Sequence, residues 1–415
     1  MKKIIVIIIL LFSLALPGVS VPESQSVLIQ NTTIMTASDL GILEKTDLLI
    51  ENGLIAVIGK NLNTNGAEII DASNMIVTPG LIAPHSQLGL VEIELERQTR
   101  DDSTDYYSAG FSIANAFNPS STLIPYNRSG GITSAVVIPS SARSIYSGMA
   151  SVFKLDGELV TDSIAKDIAM AVSFGAGSDS RASQILMLED SFEKVLRFKD
   201  SREQYSLLAD FDYDDHTIRD LEAILRVLNR EIPLIVRSNR AKDLLRMISL
   251  SNKYGIKIIF YGAKEGWRIA DVLAREGIPV ILDPMDNIPD SFDAIAARMD
   301  NAALLNAAGV KILITSQSTH NSYLSRQGAG NAAAYGLPQD EALKALTINV
   351  ADVFGLSKDR GSIEVGKSAD LVIWDGNPLE VSSFATAVMI EGHSISLISR
   401  SRRLRDKYLI ELGLK

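Results

Sequence analysis

Short apolar runs broken by turn residues open the chain, and from about residue 77 longer apolar runs alternate with amphipathic stretches. The runs at 27–29, 48–50, 54–58 and 69–70 read as β-strands. Asn52-Gly53 between two of them is a strong hairpin signal, because both residue types tolerate positive φ. A β pattern returns at 371–374 and 387–390, so the two ends can build one β domain around whatever lies between them. In the middle, apolar runs at 232–236, 257–260, 279–282 and 311–314 are interleaved with helical stretches at 240–254, 265–276 and 291–308. Gly255, Gly277 and Gly309 stand where those helices should stop. Earlier strand candidates lie at 76–83, 133–139 and 168–174. Strands that are apolar on both faces and separated by helices predict a parallel sheet, and their number predicts a closed (β/α)8 TIM barrel. The expected organisation is α/β: a barrel over 77–360, a small β-sandwich from 21–76 with 361–398, and a C-terminal helix over 399–415.

The first twenty residues follow a different rule. Lys2 and Lys3 precede an apolar run over 4–16, and Pro17-Gly18 breaks it before the small Ser20. This is the layout of a secretory signal peptide over 1–20, and the run is short for a membrane span. The expected address is periplasmic, with no stable membrane span after signal removal. The 415-residue sequence contains no cysteine, which excludes disulfides, thiolate metal ligands and a lipoprotein anchor. A formal charge of −10 argues against a nucleic-acid partner. The one basic cluster, Arg400, Arg402, Arg403 and Arg405, reads as a solvated helix face. Assembly into a homo-oligomer is neither required nor excluded by the sequence.

In a barrel of this kind chemistry sits just past the C-terminal ends of the strands. Those positions are His85 and Gln87, Ser140, residues 237–239, Tyr261-Gly262, residues 283–286 and residues 317–320. The segment VTPGLIAPHSQLG at 77–89 resembles the first-strand motif of the amidohydrolase superfamily, Pro-Gly-(Leu/Phe)-Ile-Asp-x-His-x-His. The segment GSIEVGKSADLV at 361–372 is similar to the stretch where that family's chain leaves its barrel, and EALKALTINVADVFG at 341–355 to the helix before it. The resemblance covers almost the whole chain after the leader and is nearest to exported amidohydrolases related to imidazolonepropionase. It implies a metal-activated water attacking a non-peptide C–N bond in an amide or cyclic amide. The family uses zinc or another divalent metal, held by two first-strand histidines, histidines after the fifth and sixth strands and an aspartate after the eighth.

Carried onto this chain, the motif retains His85 but puts Gln87 at the second ligand position, Arg237 and Asn239 at the fifth-strand end and Tyr261 at the sixth. Ser318 or Gln317 stands where the aspartate is expected. Arginine is permanently cationic and repels a divalent ion, so no metal ligand set and no cofactor are assigned. Catalytic candidates are then His85, Asp283 and His320, and ligand-binding candidates are Gln87, Arg237, Asn239, Tyr261 and Ser318. His85 reads as a surviving ligand, a base or a relic, and His320 as its partner or as a loop histidine. Asp283 and Asp286 suit a base or a loop-ordering role. Arg237 suits an anionic group on a small-molecule ligand, or an ion pair with Asp283. His216, in an acidic stretch, reads as a surface residue. Two functions stay open, a C–N hydrolase with an altered site and a non-catalytic binding protein. Gly361 to Ser368 also fits a phosphate-loop pattern by letter, but a strand rather than a helix should follow it, so the match is accidental.

Overall fold

The computed structural model describes residues 26–63, 66–140, 144–160, 162–175, 179–200, 216–316 and 319–414. The proposed leader over 1–20 and Ser318 lie outside them, as does the side chain of His320. The chain opens with β1 (Ser26–Met35), β2 (Ile42–Glu51), β3 (Leu54–Gly59), β4 (Glu68–Asp71) and β5 (Ile76–Pro79). It continues with β6 (Leu81–Ser86), β7 (Ile132–Val137), β8 (Tyr146–Lys154), β9 (Ala165–Ser173), β10 (Leu234–Ser238), β11 (Ile258–Gly262), β12 (Val280–Leu282) and β13 (Ile312–Ile314). Strands β14 (Leu371–Trp374), β15 (Ala385–Ile390) and β16 (His393–Ile395) follow, and then the exposed helix Arg400–Glu411.

Both ends of the described chain share one sheet, in the order β16-β15-β14-β5-β1-β2-β3 with β4 on β1. Its β2–β3 turn is the Asn-Gly pair, at φ 52° and 80°. Strand β1 joins the parts: residues 27–30 pair with β4, and Thr33 and Ile34 pair with β5. Strand β14 runs antiparallel along β5 from Leu371↔Pro79 to Trp374↔Ile76. Val27, Ile29, Ile34, Leu48, Ile50 and Leu371 fill the core of this sheet.

The second sheet is the barrel, in the order β13 to β6. Its ends meet where the Thr315 hydroxyl donates to the His85 carbonyl at 3.1 Å. An all-parallel (β/α)8 arrangement was expected, and one strand departs from it. Strand β8 is antiparallel to both β7 and β9. The connections over 138–145 and 155–164 are shorter than the dozen or so residues that a parallel crossover needs, so the chain meanders here. A second departure is the helix expected over 291–308, which is confined to Asn301–Ala307. The residues before it form turns tied down by Glu265, whose carboxylate accepts the Ala296 N–H at 3.0 Å.

Alternation along each strand sorts side chains into two layers. Ile82, Val136, Ile138, Ala150, Val152, Ala169, Ala171, Ile235, Ile259, Tyr261, Ile281 and Leu313 fill the barrel interior, with Phe354 and Leu356 packed on them. The intervening residues, such as Val137, Leu234, Val236 and Phe260, face the helices. Helix Ile218–Leu228 starts with a reciprocal cap between Thr217 and Asp220, and helix Ala241–Tyr254 ends at Gly255 with φ 67°.

Candidate functional site

The inward parity of the strands decides what the barrel mouth contains. Two residues beyond inward Ala171 is Ser173, and two beyond Ile235 is Arg237. Arg237 is in register with Ser173 on one side and with Tyr261 on the other. These three therefore form a row on adjacent strands, and the row continues into apolar Ile281 and Leu313. All three line a cavity of about 390 Å³ together with His85, Gln87, Arg100, Ser140, Ser147 and Ser316. Ser147 reaches the mouth because β8 is reversed, which brings the start of that strand to the end where the others finish.

Across the mouth, His85 leaves β6 and stacks on the Tyr261 ring, with centroids 3.9 Å apart and planes 15° apart. Burial and the Arg237 charge both disfavour protonation of this imidazole, and its pKa falls to about 3. The ring is neutral near neutral pH. Burial pushes the Tyr261 phenol up to about 12 against the opposing pull of Arg237, while Asp283 and Asp286 add to the rise. The Arg237 guanidinium lies 5.9 Å from the centre of the same ring.

Gln87 is anchored rather than free. Its amide donates to the Ser140 hydroxyl and, at 3.2 Å, to Asp102. Asp102 is fully buried and takes a fork of two bonds from Arg100, at 3.1 and 2.8 Å. Burial alone would raise the Asp102 carboxyl, but the bonds from Arg100 and Ser140 outweigh it and hold the group below the usual range. Arg100 is thus neutralised within the wall. Arg237 has no carboxylate within ion-pair distance among the described residues, so the pairing with Asp283 that its position allowed is not formed. Asp283 lies outside the cavity wall and accepts the Met285 N–H at 2.9 Å.

Of the residues expected at the site, the structure brings His85, Gln87, Arg237 and Tyr261 together around one cavity. Asn239 is displaced from the wall; its buried side-chain oxygen lacks a partner and packs where a Cβ on Gly262 would fall. His216 is not a surface residue. It is partly buried, with ring nitrogens 2.9 Å from the Ser191 hydroxyl and 3.4 Å from that of Ser108. Sequence reasoning passed over Arg100, Asp102 and Ser173. Ser173 sits at the end of a recognised apolar run and was within reach of the two-residue alternation. Nothing in the local pattern marks Arg100 or Asp102, which arrive from a long excursion after β6.

The wall offers one imidazole, no carboxylate and two guanidinium groups. Among the described residues no three His, Asp or Glu side chains come together in a way that could hold a metal ion.

A sequence profile of the amidohydrolase family matches residues 242–395. The protein named amidohydrolase tasK from Hapsidospora irregularis is 27% identical over 390 residues, covering 83% of this chain and 39% of that relative. The chain thus spans about two fifths of that relative's length. An imidazolonepropionase from Shouchella clausii is 23% identical, covering 85% of this chain and 84% of its own. The crystal structure of an amidohydrolase from Thermotoga maritima superposes with a TM-score of 0.80 at 27% identity, covering 89% of this chain and 99% of that one.

Proposed function

Because the chain belongs to the amidohydrolase superfamily of hydrolases, with imidazolonepropionases among its relatives, we propose that it is a member in which metal-dependent C–N hydrolysis is weak or lost. Its barrel mouth holds a small molecule instead. The observation that carries this reading is the composition of the cavity wall: one imidazole, no carboxylate, and the guanidinium groups of Arg100 and Arg237. Arg237 adds a fixed positive charge that repels a dication at this mouth, by an amount that solvent reduces because the residue is exposed. His85, at the family's first ligand position, is stacked on the Tyr261 ring.

Family membership supports the second reading, a working hydrolase of non-peptide C–N bonds that would draw on His85, Asp283 and His320. Export to the periplasm belongs to the same proposal and rests on the positively charged start and the apolar run at 4–16. One preparation tests these points. Protein recovered from the exported fraction without chelator should begin near Val21, carry far less than one divalent metal per chain and leave cyclic amides intact. Stoichiometric zinc, manganese or iron, lost together with hydrolysis in His85→Ala, would restore the enzyme. An intact Met1 would count against export.

A further inference from the structure

We propose that Ser173, Arg237 and Tyr261 form a receptor for a single carboxylate, and that the ligand of the barrel mouth is a small monocarboxylic acid with a hydroxyl- or amide-bearing body. This rests on the binding function proposed above. The three side chains come from three neighbouring strands in register and point into the same cavity, where the Arg237 guanidinium can only donate and the two hydroxyls can donate as well as accept. Arg237 offers a fork of N–H groups that matches a carboxylate in shape and charge. The Ser173 and Tyr261 hydroxyls flank it on the strands to either side. None of the three side chains makes a hydrogen bond or ion pair to another described protein group, so their donors are unspent. Tyr261 is only 8% exposed, and its hydroxyl opens into the cavity. A hydroxyl placed at the wall of a cavity and bonded to no other side chain is open to a ligand there.

The charge count limits the ligand to one formal negative charge. Arg100, the other guanidinium in the wall, is already matched by buried Asp102 and contributes no net charge. The nearby carboxylates Asp283 and Asp286 lie outside the wall, and Asp286 is paired with Lys264 at 2.8 Å. The rest of the lining is more polar than apolar: Ser147 and Ser316 offer hydroxyls beside Ile138, Pro139, Ala171 and Ile235, while Gln87 and Ser140 are bonded to each other. Such a wall suits a hydroxylated or amide-bearing body better than an aliphatic or aromatic one.

The test uses gluconate against gluconamide, which share a hydroxylated chain and differ in the charged head, with inorganic phosphate as a third probe. Calorimetric titration of the full protein should give gluconate an affinity roughly tenfold or more above gluconamide, the range expected for a charge-assisted bond. Arg237→Gln should erase that preference, Arg237→Lys should keep part of it, and Ser173→Ala should weaken gluconate by a few-fold. An unchanged unfolding midpoint in Ser173→Ala would separate lost binding from lost structure. Equal affinities for acid and amide, binding of neither, a preference that survives Arg237→Gln, or phosphate bound more tightly than gluconate would overturn the proposal. Metal content is measured on the same samples. Metal-free protein without acid preference refutes this inference alone, whereas stoichiometric metal with hydrolysis refutes the functional reading beneath it.

Discussion

At His85 burial and a neighbouring cation act in the same direction, and the result is measurable from the unfolding equilibrium. Its pKa is depressed from 6.5 to about 3 in the folded chain. Between those two values the unfolded chain takes up a proton that the folded chain refuses. Stability from this residue is therefore intact above pH 6.5 and declines as pH falls toward 3, with a slope of at most about 1.4 kcal/mol per pH unit. His85→Gln removes the titration and should flatten the stability profile across this window relative to the parent. Urea unfolding at pH 7 and pH 4.5 measures it, and identical slopes in the two proteins would refute the assignment. The same residue shows how far single positions are legible. His85, Gln87, Arg237 and Tyr261 were found because each follows a recognisable apolar run and because inward parity at the strand ends is fixed. Asn239 was misplaced because the backbone at Gly262 lets its side chain turn away from the cavity.

Among the elements, uniformly apolar runs predicted the central strands within a few residues. Strand β8 escaped because its sequence, YSGMASVFK, has no alternation or flanking helix to set it apart, although most of the strand is buried. The helix expected over 291–308 shrank because the proline-containing segment before it is held by side-chain bonds from Glu265 and Trp267, an arrangement invisible to local propensity. The contact between β7 and β14 is a sharper case. Gly131 precedes β7 at φ +94°, and a Cβ there would fall 2.6 Å from the Trp374 ring. Trp374 is fully buried and donates its indole N–H to the Thr78 hydroxyl at 2.9 Å. Gly131→Ala should cost about 2–3 kcal/mol from backbone strain and overpacking combined. Adding Trp374→Phe should recover part of that loss, because the ring atoms in the way are gone. A double-mutant cycle by urea unfolding reads the coupling, and strictly additive losses would sink the argument.

For the whole molecule, composition and the two β-rich ends foretold a barrel joined to a second sheet. The way the second sheet crosses between the ends was not legible, because strand pairing between distant residues leaves no mark on either segment. Strand β5 has β1 on one side and β14 on the other, and the Thr78–Trp374 bond spans 296 positions of sequence. A chain stopped after residue 370 lacks β14 to β16 and leaves that flank of β5 without a neighbour. Refolding of such a chain, followed by light scattering, should show aggregation at concentrations where the full chain stays clear, since an open strand edge is a template for other chains. A clear, monomeric sample with the parent's unfolding midpoint would contradict this. The pairing also sets an order in time. Synthesis runs from the N-terminus, so β5 is made early and its partner β14 arrives only after the whole barrel has been made. Until β14 is delivered, the sheet waits with that edge of β5 open.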